Sequence, residues 1–520
     1  MTVVVATDWL LASATGVLLA LSFPKFGHPA CAWVALAPLV LVLRGARPFG
    51  CPTQLAPRRA FLLGWWAGLI YFVGTVYWTS EVLAQFGGMP FAAAAGAMVL
   101  LAAYLALYPA MAVASTAICV NAYGDRALAL LPAAWVAAEF MRGQFFGGFP
   151  WVPLGNSQVE VLPIAQLASL LGVYGLSAFV VIVNVIVVAA SLSTGRRRWT
   201  FVAAGVLLVA MAGGWGARRV AQGTLVSQGS QLRVGLVQAN IAQADKWDPR
   251  QARRILTTYI AMTRDVVRRG AQYVIWPESS TPQMFEEDAG TAEALRSLAR
   301  EVKVPILFGS DQLQRGTDPR FYNAAFLLGE DGGTRAVYRK IQLVPFGEFF
   351  PFQRWLSFVS PLVERSAPFA AGESVVMLPI GTHRTSTAIC YEVVFPELAR
   401  QAVANGSELL TTITNDGWYG QSSAPYQHFG MAALRAIEQG RYLARAANTG
   451  ISGIVDPYGR VLERSAIFEQ AGLVGTIGFL NGRTVYSRLG DVTPWGAIGL
   501  MAVAMVGAGF ASRRSAPRGR

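Results

Sequence analysis

Charge and sulfur are both scarce in this chain. Only 14% of its 520 residues are charged, and it holds four cysteines and three histidines. His28, His383 and His428 are too scattered for metal-ligand spacing, so no metal and no cofactor is expected. Cys31 and Cys119 lie in apolar runs, Cys51 in a basic loop, and Cys390 stands alone between residues 220 and 491. With no disulfide partner in that region, Cys390 is read as a free thiol. Acids are scarcest at the two ends. Residues 220–491 carry 27 basic and 25 acidic side chains, the flanks 16 and 5, and together they give the net charge of +13. The excess positive charge therefore sits in short loops between apolar runs, where membrane orientation is set. The high pI is read as that signal, and no nucleic-acid partner is expected.

What the chain has in excess is hydrophobicity: 53% of its residues are hydrophobic and the mean hydropathy is +0.41. A spanning helix needs about 20 mostly apolar residues. Candidates fall near 8–23, 29–43, 60–80, 91–119, 127–141, 165–191, 199–217 and 493–512, which makes eight spans, the second and fifth short. Eight spans put both termini on one side. With that side cytoplasmic, inside loops and the tail hold 12 arginines against 4 basic residues outside, so residues 220–491 are expected to lie outside the cytoplasm. The expected organisation is a membrane domain over 1–219, an extracytoplasmic domain over 220–491, and a last span with a basic tail over 492–520. Trp65, Trp66, Tyr77 and Trp78 suit an interfacial belt and helix packing equally. Glu139 ends an apolar run three residues before Arg142, which suggests a local interfacial ion pair.

Between the flanks, short apolar strands alternate with amphipathic helices. Strands are expected at 233–238, 272–276, 305–309, 323–328, 334–339, 385–389, 408–413, 451–455 and 472–478. Helices are expected at 249–269, with Asp248 as cap, at 290–301, and as one long helix over 425–447. Mixed strands covered by helices make an α/β layered sandwich.

Three reactive side chains fall where strands run into loops: Glu278 in Trp276-Pro277-Glu278, Lys340 after Tyr338-Arg339, and Cys390 after Thr385–Ile389. Functional groups collect at such strand ends in layered α/β folds. A thiol, a carboxylate and an ammonium are sufficient for acyl transfer: Cys390 attacks a carbonyl, Glu278 takes its proton, and Lys340 stabilises negative charge. A strand-to-helix turn is expected to favour the thiolate of Cys390. A Cys390–His428 dyad is the rival constellation, set against a polar His428 on a helix face.

These residues resemble the Glu-Lys-Cys triad of the nitrilase superfamily. Lys340-Ile-Gln-Leu-Val-Pro-Phe-Gly-Glu348, Asn415-Asp-Gly-Trp-Tyr-Gly420 and Arg445-Ala-Ala-Asn-Thr-Gly450 extend the match. A nitrilase domain set between seven spans and one is similar to the apolipoprotein N-acyltransferases of bacterial inner membranes. The resemblance implies a four-layer αββα sandwich beside a multi-pass helical bundle, with the catalytic domain in the periplasm. It implies a ping-pong transfer of an acyl chain from a phospholipid, commonly phosphatidylethanolamine, to the amino group of the diacylglyceryl-cysteine of an apolipoprotein. Glu278 would be the base, Lys340 the oxyanion stabiliser and Cys390 the nucleophile. Glu348, Tyr391, Glu392 and Trp247 would orient the triad or the substrate. Two other readings use the same residues: a membrane-tethered amidase with water as acceptor, and an inactive membrane scaffold. The aromatic stretch 346–370 follows Lys340 and suits either a lid at the bilayer surface or core packing.

Overall fold

The computed structural model describes residues 2–44, 55–246, 248–345, 347–349 and 369–515. The chain divides into two compact units, residues 1–221 with 489–520, and residues 222–488.

The first unit is helical. Its helices are α1 (Thr2–Ala20), α2 (Ala37–Leu43), α3 (Pro57–Val76), α4 (Trp78–Gln85), α5 (Phe91–Leu105), α6 (Leu107–Tyr123), α7 (Leu131–Arg142), α8 (Leu162–Ala165), α9 (Ala168–Leu192) and α10 (Gly195–Gln222). Five stretches among the described residues are helical, long and apolar enough to cross a membrane: Pro57–Val76, Phe91–Tyr123, Ala168–Leu192, Gly195–Gln222 and Val492–Ala511. The other three expected spans are not among these five. The apolar helical stretch at the N-terminus is Ala6–Ala20, that over 29–43 is Pro29–Leu43, and that over 127–141 is a 3-10 turn followed by the 12-residue α7. The 91–123 stretch breaks between α5 and α6 at Ala106. Pro109 explains the break, because its ring crowds the carbonyl four residues back, at Leu105. Small residues let α3 lie close on α6. A Cβ on Gly64 would come 2.9 Å from Val113, and one on Gly68 would come 2.6 Å from Pro109.

The expected ion pair of Glu139 and Arg142 is not how these residues are held. Both are buried in the bundle. Glu139 accepts from Trp135 Nε1 at 2.9 Å and from Leu154 N at 2.7 Å, while Arg142 donates to the Trp151 carbonyl at 2.7 Å. Among the tryptophans, helix packing accounts for the contacts. Trp66 donates to Ser13 and meets Trp9 edge-on, Trp65 donates to the Ala103 carbonyl, and Trp78 packs on Trp151.

The second unit is two six-stranded mixed sheets, with helices α11 (Ala252–Arg268), α12 (Ala289–Val302), α13 (Pro396–Ala404) and α14 (Ala424–Gln439). The strands are β1 (Gln231–Gln238), β2 (Tyr273–Ile275), β3 (Ile306–Gln314), β4 (Arg320–Leu328), β5 (Thr334–Arg339), β6 (Leu378–Ile380), β7 (His383–Ile389), β8 (Leu409–Thr414), β9 (Leu443–Ala447), β10 (Gly453–Val455), β11 (Val461–Arg464) and β12 (Ala471–Gly478). The sheet orders are β12-β1-β2-β3-β4-β5 and β11-β10-β9-β8-β7-β6. In each, three central strands run parallel: β1, β2 and β3, and β7, β8 and β9.

Strand alternation builds the layers. Val234, Leu236, Ile275, Leu307 and Leu327 of the first sheet pack with Ile389, Leu409, Ile413, Ala444 and Ala446 of the second. The opposite face of the first sheet, through Val237, Val274, Ile306, Phe308 and Phe326, packs on α11 and α12. Ile255, Tyr259, Met262 and Val266, spaced at three and four residues, form the buried stripe of α11. Each such side chain, once buried, contributes about 1.5–3 kcal/mol. The buried Trp276 indole donates to Thr263 of that helix at 2.8 Å, so its polar edge is satisfied.

Two boundaries differ from expectation. Helix α11 begins at Ala252 with Gln251 as an N-cap whose side chain does not cap the helix backbone, and Asp248 is engaged with the backbone and guanidinium of Arg250 instead. The single long helix over 425–447 is in fact α14 followed by β9. Gly440 ends the helix in the left-handed region at φ 61°, as a glycine just past a helix end often does. Leu443–Ala447 then runs fully buried as a sheet strand, overriding the helical preference of Leu-Ala-Arg-Ala-Ala. The two final helices of the chain are α15 (Val485–Leu489) and α16 (Val492–Ser515).

Candidate active site

Glu278 sits three residues past β2, Lys340 one residue past β5, and Cys390 one residue past β7. Parallel β2 and β7 deliver the first and third at the carboxyl ends of their sheets. The Glu278 turn is tight. Ser279 takes a left-handed φ of 41°, and a Cβ on Gly309 of β3 would come 2.7 Å from Glu278 Cα. Glycine at 309 therefore lets the turn rest directly on the neighbouring strand. Cys390 also has a left-handed φ, 53°, which costs energy for a residue with a side chain and clusters at functional sites.

The side chains converge. Lys340 Nζ donates to Glu348 Oε1 at 2.8 Å and lies 3.5 Å from Glu278 Oε1. Asn323 Nδ2 bridges the two carboxylates, at 2.7 Å from Glu278 and 2.9 Å from Glu348. Glu278 Oε2 accepts from the Asn415 backbone N–H at 2.9 Å. Glu348 Oε2 accepts from the Val344 N–H at 2.8 Å. Glu278 and Lys340 both lie close enough to Cys390 to act on its charge.

Burial first, and then Glu278, push the Cys390 thiol up to about 12, against the lowering pull of Lys340. The expected thiolate is thus not favoured at rest. Burial pulls Lys340 down, but Glu348 and Glu278 together hold it above the usual lysine range, so it stays an ammonium. Losing the thiol proton to solvent would add a negative charge to this buried site. Passing it to Glu278 leaves the site's charge unchanged, which makes Glu278 the natural proton acceptor.

Glu392 ties two of these loops together. Its Oε1 accepts from Tyr338 OH at 2.8 Å, Ile341 N at 2.6 Å and Gln342 N at 3.1 Å. Its Oε2 accepts from Ile389 N at 2.7 Å. The carboxylate therefore joins the residues just after Lys340 to the residue just before Cys390. Tyr391 is buried and meets Phe395 edge-on at 5.2 Å. Trp247 and most of the 346–370 stretch lie outside the described residues.

His428 does not reach the sulfur as a dyad partner. Its Nε2 is 3.1 Å from the Cys390 backbone carbonyl, and its Nδ1 is 2.9 Å from Asp416 Oδ1. Nor is it a polar face residue, since it is wholly buried with Asp416 and Arg445. Arg445 Nη2 donates to Asp416 Oδ2 at 2.9 Å. Burial would raise the Asp416 carboxyl, but Arg445 and His428 hold it at about 2.

Sequence reasoning missed Lys246, Asn323 and Asp311. Lys246 is buried and donates to the Glu278 carbonyl at 3.2 Å. Burial brings its ammonium down to about 8 against the pull of Glu278 and Asp311, and burial likewise raises Asp311 to about 6. The Lys-Trp-Asp sequence at 246–248 holds a charged residue on either side of Trp247, and nothing in it marks Lys246 as buried. Among the described residues no group of histidines, cysteines and acids is arranged to hold a metal ion.

Residues 15–186 match the model of the apolipoprotein N-acyltransferase N-terminal domain, and residues 233–477 match that of carbon-nitrogen hydrolases. Curated apolipoprotein N-acyltransferases align along nearly the whole chain. That of Geobacter metallireducens is 37% identical over 98% of this chain and 96% of its own length. That of Methylococcus capsulatus is 35% identical over 97% and 96%. The chain belongs to the apolipoprotein N-acyltransferase family. An amidase structure from Nesterenkonia sp. is also similar, at 24% identity and a TM-score of 0.38, covering 50% of this chain and 95% of that one.

Proposed function

We propose that the protein moves a fatty acyl chain from a phospholipid to the N-terminal amino group of the diacylglyceryl-cysteine of an apolipoprotein, with Cys390 carrying the chain as a thioester. The observation that carries this reading is the buried set of Glu278, Lys340 and Cys390 in a chain aligned end to end with enzymes named for that transfer.

In the first half-reaction Glu278 takes the thiol proton and the sulfur attacks the donor ester carbonyl. The Lys340 ammonium stabilises the oxyanion. The ester C–O bond then breaks, and the leaving lysophospholipid alkoxide takes the proton back from Glu278. In the second half, Glu278 removes a proton from the incoming amine, the amine nitrogen bonds the carbonyl carbon, and the thiolate leaves and is reprotonated. Glu348 and Asn323 hold Lys340 and Glu278 apart at working distance. Glu392 sets the spacing of the lysine and cysteine loops, and Tyr391 and Trp247 serve as supporting residues.

The reading extends to the membrane. The proposed topology has eight spans with the arginine-rich loops in the cytoplasm, and on it residues 220–491 lie in the periplasm, on the outer face of the bacterial inner membrane, where both lipid substrates present themselves. Phosphatidylethanolamine is the proposed donor. The test supplies the purified full chain with phosphatidylethanolamine labelled in its acyl chain, then with a diacylglyceryl-cysteine peptide. Label should move first to the protein and then to the peptide amine. Free fatty acid as the sole product would mean that water is the acceptor and the enzyme is a hydrolase.

A further inference from the structure

We propose that His428, through its Nε2–H bond to the Cys390 carbonyl, is the positioning residue that holds the nucleophile in its left-handed conformation. This rests on the reading of Cys390 as the acyl carrier.

The argument begins with hydrogen-bond polarity. A carbonyl oxygen can only accept, so the 3.1 Å contact requires the proton on Nε2. Nδ1 faces Asp416 Oδ1 at 2.9 Å and Arg445 Nη2 at 3.0 Å. A neutral ring protonated on Nε2 accepts at Nδ1 from Arg445. A charged ring donates at Nδ1 to Asp416. Both states leave Nε2–H directed at Cys390, so the contact survives titration of the ring. The third state, neutral with the proton on Nδ1, would set a lone pair against the carbonyl and is excluded.

The surroundings hold the ring in place. His428, Asp416 and Arg445 are all fully buried or nearly so. Thr414 Oγ1 donates to Asp416 Oδ1 at 2.9 Å, fixing the carboxylate from the strand side. Tyr419 meets the imidazole edge-on at 6.2 Å. His428 lies on α14 and Asp416 in the turn after β8, so the network fastens Cys390 to two other elements.

The consequence is local. Cys390 at φ 53° sits where a side chain is disfavoured, and its conformation persists only if neighbours enforce it. Anchoring its carbonyl fixes the plane of the Cys390–Tyr391 peptide. In a trans peptide the N–H points opposite to the C=O. His428 thereby also sets the direction of the Tyr391 N–H beside the reacting sulfur.

Three substitutions separate positioning from plain packing. His428→Gln extends an amide N–H towards the place of Nε2, His428→Asn reaches only as far as Nδ1, and His428→Leu fills the space without a donor. Each is made in the full chain and read for thermal stability, for the rate of thioester formation from phosphatidylethanolamine, and for alkylation of the Cys390 peptide by iodoacetamide against pH. The expected result is a drop of about 10²-fold in thioester formation for Leu and Asn, with Gln recovering at least tenfold of it. In the Leu variant the alkylation midpoint falls towards that of an ordinary thiol, because the released cysteine leaves the burial and the Glu278 charge that raise it.

Equal thioester rates in folded wild type, Asn and Leu would overturn the proposal, as would a Gln variant no better than Leu. If wild type formed no thioester, the acyl-carrier reading would fail by itself. The alkylation profile would then decide the positioning role: a profile unmoved in the Leu variant overturns it, and a lowered midpoint supports it.

Discussion

Glu278 has two opposite effects on Cys390, and a single substitution separates them. As a neighbouring negative charge it raises the thiol, second only to burial. In the proposed mechanism it is also the base that accepts the proton once an ester carbonyl is in place. Glu278→Gln should therefore lower the pH midpoint for iodoacetamide alkylation of Cys390, while cutting thioester formation by about 10²–10⁴-fold. A loss of both alkylation and acylation, or of neither, would remove Glu278 from its role as base. Lys340→Ala should cost roughly 10²–10³-fold in acylation, the usual effect of removing one oxyanion donor. It should also raise the alkylation midpoint, since Lys340 is the charge that lowers the thiol. Glu278, Lys340 and Cys390 stand just past strand ends that the sequence shows, and the fold brings those ends together. Lys246 was not legible in the sequence. A lone lysine reads as solvated, and only the packing of its loop against the Glu278 turn buries it.

At the scale of elements, α14 and its neighbours carry the most informative errors of sequence reading. Its 16 residues are almost all buried, so the polar stripe that would have oriented His428 is absent. A helix covered on all sides shows no face to a pattern search. Strand β9 was hidden for a related reason: its burial, and not its composition, makes it a strand. Two predictions belong here. Gly440→Ala should destabilise the second unit by about 1–2 kcal/mol, from the left-handed φ alone, and more because the new Cβ would come 2.9 Å from Thr484. The measurement is the shift in thermal unfolding.

The buried Asp416 should show in the pH dependence of stability. Its carboxyl is at about 2 when folded, against an ordinary 3.8. A lowered carboxylate stabilises the fold above the unfolded value, and that contribution is lost as pH falls from about 4 through 2. Asp416→Asn should cost about 3–5 kcal/mol at neutral pH by leaving Arg445 buried without its partner. The gap to wild type should narrow by about 2 kcal/mol between pH 4 and pH 2. A gap that stayed constant with pH would mean that Asp416 is not held ionised by Arg445 and His428.

At the scale of the whole molecule, two units with different solvents share one chain. The first is built of apolar helices that approach through small residues such as Gly64 and Gly68, and the second is a layered sandwich with an ordinary charge balance. Hydrophobic runs made the helical unit legible in outline. Five of the eight expected spans are found among the described residues, and those over 8–23, 29–43 and 127–141 are shorter apolar stretches there. Orientation has its own test. Reporter fusions after Arg198 should read as cytoplasmic and fusions within β3–β4 as periplasmic. The reverse pattern would overturn the proposed lipoprotein role, because its lipid acceptor would lie on the wrong side.

The central claim is that Cys390 carries the acyl chain. Intact-mass measurement of the purified protein, after incubation with phosphatidylethanolamine of one defined acyl chain, tests it most directly. The account predicts a mass increase equal to that acyl group, located on the Cys390 peptide, removed by neutral hydroxylamine or by a diacylglyceryl-cysteine peptide, and absent from Cys390→Ala. An acyl adduct of the same mass persisting in Cys390→Ala, or product formed by that variant at the wild-type rate, would contradict it.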